Sequence, residues 1–338
     1  MKLVHHFEDI NNIYLILDLC PHQSLHDLVQ RRPGGLTEVE VRYFMKQMVD
    51  AVDYMMRKNV LHRDLKVGNT FIDEQMRLKI GDFGLAIELS NPRERRHSFL
   101  GTPNYMAPEV CMNKDRIDAL KAGKTTNIPP YSNYSFPVDW WALGVMMYNL
   151  LYGKSPFPHG NTKENYDNIR AAHVRFPSRR SDVSAEAKNL VRLILNPVAE
   201  QRPSPQEILA HPFFTRPSDG IPMHVIPHSL PKTILQCPLN NEFIKHLRKI
   251  ADNKSVAATE DQNSFAVDYI PRALMPQSNT VKYNDTTSNF LRVNLWLAWD
   301  NYGVGYQLSN QSIGQLNLDK TTLFYSPCFT KVLYNKLP

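Results

Sequence analysis

At 338 residues, 42% of them hydrophobic, the chain is long enough to bury a large core. Its net charge of +6 comes from 39 Lys and Arg against 33 Asp and Glu, scattered in short clusters of which Arg93, Arg95 and Arg96 are the densest, so no basic tract marks a nucleic-acid partner. No run approaches the roughly eighteen consecutive apolar residues of a membrane span, and Cys20, Cys111, Cys237 and Cys328 lie far apart without metal-ligand spacing, which argues against a disulfide framework and for a reducing compartment.

In chain order, Leu3 to Glu8 and Ile13 to Leu17 read as β-strands, the second a continuous apolar run suited to a buried position. The opening Lys2-Leu3-Val4-His5-His6 lacks the apolar centre of a signal peptide. Leu25 to Arg32 reads as a short helix. Thr37 and Glu40 form an S/T-x-x-E capping box, with Leu36 and Val41 at the spacing of a hydrophobic staple. They predict a helix running to about Lys58, with Phe44, Met48, Val52 and Met55 or Met56 turned to the core. Residues 111–138 contain the polar, turn-rich Lys114 to Thr126 and Pro129-Pro130, expected as a surface insertion. Trp140 to Tyr152, apolar nearly all round, predicts a fully buried helix stopped by Gly153. Residues 217–288, rich in Pro, Ser, Asn and Asp, read as a linker that contains a short amphipathic helix at Asn241 to Ile250.

Three short signatures stand in one order: His62-Arg63-Asp64-Leu65-Lys66-Val67-Gly68-Asn69, then Asp82-Phe83-Gly84, then Ala107-Pro108-Glu109. Each alone is an ordinary loop; the ordered set resembles the catalytic core of protein kinases, from about residue 3 to 216. Phosphoryl transfer asks a protein chiefly to position an acceptor hydroxyl and to spread positive charge over phosphates. The resemblance implies Asp64 as acceptor of the hydroxyl proton and Lys66 as the cation beside the transferred group. Asn69 and Asp82 are implied as oxygen ligands for Mg²⁺, a hard cation, with ATP as the phosphoryl donor. Leu17 falls at the gatekeeper position, Asp18 and Cys20 at the hinge whose backbone meets adenine, and Phe71 at the floor under the base. Gly101 to Glu109 is similar to the substrate-docking loop of Ser/Thr kinases, with Thr102 bridging the catalytic aspartate and lysine. Asp139, Glu109 and Arg202 are implied as scaffolding: Asp139 braces the catalytic-loop backbone and Arg202 forms a buried ion pair with Glu109. Ser98 stands where an activating phosphate is carried, and Arg63 where an arginine commonly pairs with it.

Leu19-Cys20, the glycine before Asn69 and the unbroken Gly101-Thr102-Pro103-Asn104-Tyr105 narrow the resemblance to Polo-like kinases. Trp296 to Ser309, followed by Gly314 to Leu318 and Asp319 to Tyr325, resembles the opening β-meander of a first polo box. The expected fold is therefore α+β: a protein-kinase fold over 1–216 with a truncated N-lobe and a mainly helical C-lobe, a linker over 217–288, and a partial antiparallel polo box over 289–338. No G-x-G-x-x-G and no V-A-I-K-like strand precede His62, so the chain is expected to be a fragment or an incomplete gene product, the alternative being a natural protein impaired in ATP handling. Intact Asp64, Lys66, Asn69 and Asp82 favour an enzyme over a pseudokinase-like binding scaffold. The implied partners are protein substrates, with phosphoprotein docking only if the polo-box region is complete; neither nucleic acid nor membrane is expected. The resemblance further implies an intracellular, cell-cycle role in nucleus and cytoplasm, at centrosome, spindle or kinetochore.

Overall fold

The chain divides into two units, residues 1–272 and 273–338. The computed structural model describes residues 1–254, apart from 11, 125, 127–129 and 158–161, and the backbone of five strands between 293 and 336.

The first unit opens on an antiparallel hairpin, β1 (Leu3–Glu8) and β2 (Ile13–Leu17). The apolar run of β2 is not buried as its sequence predicts. Alternate residues face away from the body of the unit, and Ile13, Leu15 and Leu17 are 69%, 60% and 41% exposed. Two strands alone cannot cover both of their own faces.

Ser24 and Asp27 cap α1 (Leu25–Arg31) reciprocally, and Thr37 and Glu40 do the same for α2 (Glu38–Arg57). Phe44, Met48, Val52 and Met55 recur on the buried side of α2 as expected. That side also buries charge: Glu40 is fully buried and pairs with Arg32 at 3.0 Å. β3 (Val60–Leu61), β4 (Thr70–Ile72), β5 (Leu78–Ile80) and β6 (Ile87–Glu88) form two small ribbons, β3 with β6 and β4 with β5, which frame the loop carrying the first signature. α3 (Pro108–Lys121) continues well into the segment expected as turn-rich, anchored through the buried Val110, Cys111 and Asn113 that precede that segment, while Asp115, Asp118 and Lys121 stay at the surface as expected of an insertion.

α4 (Pro137–Tyr152) is buried along essentially its whole length, and Gly153, at φ 69°, closes it by donating to the Asn149 carbonyl at 2.8 Å. Truncating a side chain such as Trp141 or Leu150, both 0% exposed, costs about 3–5 kcal/mol through lost transfer energy and cavity formation. α5 (Lys163–Arg170) lies on α3, α6 (Ala185–Ile194) packs against α4, α7 (Pro205–Ala210) packs against α2, and α8 (Pro212–Thr215) lies on α6 and α7.

The linker expected from residue 217 is corrected up to residue 254. This stretch is part of the first unit: Ile221, Val225, Ile226, Leu230, Ile234, Leu239 and Leu247 join the core. Its prolines suppress regular structure without preventing burial, and its backbone is satisfied by the helices beneath. Arg32 donates to the Ile234 carbonyl at 2.8 Å, Tyr43 to the His228 carbonyl at 3.1 Å, and Glu40 accepts the Leu239 amide at 3.2 Å. Arg42, itself fully buried, pairs with Asp219. α9 (Asn241–Lys254) contains the amphipathic helix anticipated at Asn241 to Ile250.

The second unit holds β7 (Val293–Trp299), β8 (Gly303–Leu308), β9 (Ile313–Leu316), β10 (Thr321–Tyr325) and β11 (Val332–Lys336), each paired antiparallel with its sequence neighbour. It is a meander, as the Trp296 to Tyr325 pattern predicts, and Trp296 lies opposite Tyr306.

Candidate active site

β3 delivers the chain into a loop whose backbone is held from beneath. Asp139, in the first turn of α4 and 2% exposed, accepts the His62 amide at 2.8 Å and the Arg63 amide at 3.0 Å. Burial pushes its carboxyl up; the two amide donors pull the other way. Arg63 takes a left-handed φ of 68°, uncommon for a residue with a side chain and sustained here by the bracing on either side. His62 Nδ1 accepts the Asp64 amide at 3.3 Å, so its proton sits on Nε2, which faces the Gly81 carbonyl at 3.2 Å. The imidazole thus joins the loop to the residue before Asp82, and its ring lies 4.8 Å from that of Phe83.

Asp64 is the centre of convergence. Lys66 Nζ donates to its Oδ2 at 2.6 Å, and Asn69 Nδ2 to its carbonyl at 3.0 Å and to Oδ2 at 3.2 Å. Thr102 donates to Oδ1 through both its amide, at 2.9 Å, and its hydroxyl, at 2.6 Å, and that hydroxyl accepts from Lys66 at 2.9 Å. Burial works to raise the Asp64 carboxyl, but the donors Lys66 and Thr102 outweigh it, leaving the group below the usual carboxylate range and ionised at neutral pH. Gly101 makes the approach of this segment feasible. Its φ is +114°, and a Cβ there would stand 2.6 Å from the Arg63 carbonyl oxygen.

Around this centre the other expected residues fall as follows. Asn69 turns its amide nitrogen to Asp64, which leaves the side-chain oxygen as the atom it can present to a cation. Asp82 is exposed and left-handed at φ 58°. Among the described residues no three His, Cys, Asp or Glu cluster as a metal site; the side-chain oxygens of Asn69 and Asp82 are of the hard type that Mg²⁺ prefers and could serve it together with phosphate. At the hinge, the Asp18 amide is already given to the Lys2 carbonyl at 3.1 Å, and the Cys20 carbonyl accepts from Gln23 at 3.2 Å. Burial raises the Cys20 thiol, which argues against a nucleophile there. Phe71 lies in β4, with its ring against Gly81.

Arg202 clasps Glu109 with two bonds of 2.7 and 2.8 Å and also donates to the Pro137 and Asn196 carbonyls at 2.8 and 2.9 Å. Arg63 and Ser98 are not joined: Arg63 Nε donates to the Leu85 carbonyl at 2.6 Å, and no hydrogen bond links it to Ser98 among the described residues.

Residues 1–214 match the family model of the protein kinase domain. The chain belongs to the protein kinase family. Among curated relatives, it is 41% identical over 244 residues to a probable serine/threonine-protein kinase, CCRP1, of Zea mays, an alignment covering 72% of this chain and 35% of that one. It is 40% identical over 254 residues to the cell cycle serine/threonine-protein kinase CDC5/MSD2 of Saccharomyces cerevisiae, covering 75% and 32%. Against serine/threonine-protein kinase plk-2 of Caenorhabditis elegans it is 31% identical over 388 residues, covering 99% and 56%. The chain thus spans between about a third and just over half the length of these relatives. These similarities place the kinase on the Polo-like Ser/Thr branch.

The kinase fold thus brings Asp64, Lys66, Asn69 and Thr102 into one hydrogen-bonded set, and joins Asp139 to the loop and Glu109 to Arg202. Two contributions escape the reading of the sequence. His62 belongs to the first signature but is given no role there, although a histidine two residues before a buried carboxylate is placed for the Asp64 amide. Asn149, buried in α4, donates to the Tyr105 hydroxyl at 2.8 Å, and its single signal is a polar residue within the otherwise apolar run from Trp140 to Tyr152.

Proposed function

We propose that the chain carries the catalytic machinery of a Polo-like kinase that transfers the γ-phosphoryl group of ATP to Ser or Thr hydroxyls of protein substrates. The observation that carries this reading is the Asp64 carboxylate, ionised and oriented by Lys66, Asn69 and Thr102 together. Mg-ATP, when bound, supplies the phosphoryl group and its charge-neutralising ion. Asp64 accepts the proton of the incoming hydroxyl, which forms its new bond to phosphorus as the bond to the leaving ADP oxygen breaks. Lys66 offsets charge on the group in transfer, and Asn69 and Asp82 would hold the metal. Leu17, Asp18, Cys20 and Phe71 line the place for the base. An intact, mutually bonded set of this kind weighs against a purely binding, pseudokinase-like scaffold.

Measurement of phosphoryl transfer to a protein acceptor, alongside nucleotide binding, tests the assignment. Asp64→Asn is expected to lower transfer by a factor of about 10² to 10⁴, the span of general-base contributions, while nucleotide affinity stays near that of the wild type. Equal transfer rates for the two proteins would remove Asp64 from the role.

Regulation through Ser98 belongs to the same reading. A phosphate there adds about −1.5 to −2 charge, and Arg63 has to give up Leu85 to meet it. The antiparallel meander and the similarity of this chain to plk-2 along 99% of its length support reading residues 289–338 as part of a polo box. A cell-cycle role at centrosome, spindle or kinetochore, and phosphoprotein docking by a complete polo-box region, complete the proposal.

A further inference from the structure

Part of the segment between Val110 and Asp139 is built against the activation segment, the stretch from Asp82 to Glu109. Returning from α3, residues 131–134 run beside Arg96 and His97. The Arg96 amide donates to the Tyr134 carbonyl at 2.9 Å and the Tyr134 amide to the Arg96 carbonyl at 2.7 Å, an isolated antiparallel bridge. Next to it, the Tyr131 ring has its centroid 4.3 Å from the His97 ring and 3.9 Å from the Arg116 guanidinium carbon. Asn113 secures the returning chain from the other end, since its side chain donates to the Ser132 carbonyl at 2.9 Å and accepts the Ser132 amide at 2.8 Å. Asn113 and Arg116 stand three residues apart on α3, on one helical face, so a single turn of helix supplies both anchors.

The contact lies on a direct route to the catalytic loop. Downstream of the bridge, Thr102 meets Asp64; Tyr134, 3% exposed, leads into α4 and Asp139, which holds the amides of His62 and Arg63. Activation segment and catalytic loop are therefore tied to the same short stretch of chain. Tyr131 itself is 47% exposed, so its contribution is the grip on its neighbours rather than the filling of a core.

We propose that Tyr131 is a positioning residue: gripped by Arg116 and His97, it fixes the activation segment upstream of Thr102 and so sets Thr102 on Asp64. The catalytic consequence rests on the phosphoryl-transfer reading of Asp64; the grip does not. Loss of one aromatic pair and one cation–π contact together shifts a local opening equilibrium by about tenfold.

Hydrogen exchange on the full 338-residue chain reads this directly. Tyr131→Ala is expected to speed exchange of the Arg96 and Thr102 amides by about tenfold and to leave α4 amides unchanged, whereas Tyr131→Phe, which keeps the ring, exchanges like the wild type. Arg116→Gln is expected to loosen the Arg96 amide as well. Wild-type protection of Arg96 in Arg116→Gln overturns the proposal whatever Tyr131→Ala does. So does an unchanged Thr102 amide in Tyr131→Ala, because the grip would then not reach the site. Equal phosphoryl transfer by wild type and Asp64→Asn refutes the catalytic reading, but leaves the exchange result standing.

Discussion

Arg202→Ala is a stringent test of the scaffold that supports the site. Arg202 ties three places together: the first turn of α3 through Glu109, the start of α4 through the Pro137 carbonyl, and the turn after α6 through the Asn196 carbonyl. Its guanidinium also lies 5.1 Å from the Trp141 ring, and the side chains of Arg202 and Glu109 are only 1% and 12% exposed. Truncation to alanine leaves the Glu109 carboxylate without a partner in a low-dielectric setting and two carbonyls without their donor. Breaking a buried pair in this way costs about 3–5 kcal/mol. For a unit of this size each kcal/mol lowers Tm by about 2–4 °C, which puts the expected drop at roughly 6–20 °C. Scanning calorimetry of the 338-residue chain measures it; because the chain has two units, the larger unit's transition has to be resolved by itself. A second variant separates lost charge pairing from lost packing. Arg202→Met combined with Glu109→Gln leaves no buried charge, and should recover part of the loss. A drop below about 3 °C for Arg202→Ala would show the pair to be worth no more than a surface salt bridge, and would refute the reasoning.

Two further outcomes are expected. Ile234→Ala, in the stretch whose sequence reads as a linker, should destabilise the larger unit by about 2–5 kcal/mol in urea melts, since Ile234 is 1% exposed; a change within about 0.5 kcal/mol would return residues 217–254 to linker status. If Ser98 is the regulatory site, Ser98→Ala should hold phosphoryl transfer at the level of the phosphatase-treated protein, while phosphorylated wild type runs faster; identical rates in all three would remove Ser98 from regulation.

The features legible in the sequence are those whose physics is local. The cap at Thr37 and the glycine stop at Gly153 depend on residues within a turn of one another, and the burial of α4 is announced by an apolar run with almost no polar face. The meander of the second unit is what the resemblance of Trp296 to Tyr325 to a polo box implies. The three signatures indicated the chemistry because each is contiguous, and their order compensated for the weakness of each alone.

What tertiary structure alone decided involves residues far apart in the chain or surfaces that composition misrepresents. Asp64 is ionised and aimed by Thr102, 38 residues away; the catalytic loop is held by Asp139, 77 residues from His62; Arg202 reaches Glu109 across 93. The family resemblance names these partners, but only the fold shows the distances and burial that set their electrostatics. The β2 run, apolar enough for a core, is exposed because burial depends on what covers a strand and not on the strand's own residues. Conversely, residues 217–254 and the second half of α3 look like polar connections. Residues 217–254 are packed because a few well-spaced apolar side chains suffice once Arg32, Glu40 and Tyr43 satisfy the nearby backbone, whereas the buried side chains of α3 lie in its first half alone; no periodicity within those segments records partners that lie elsewhere in the chain.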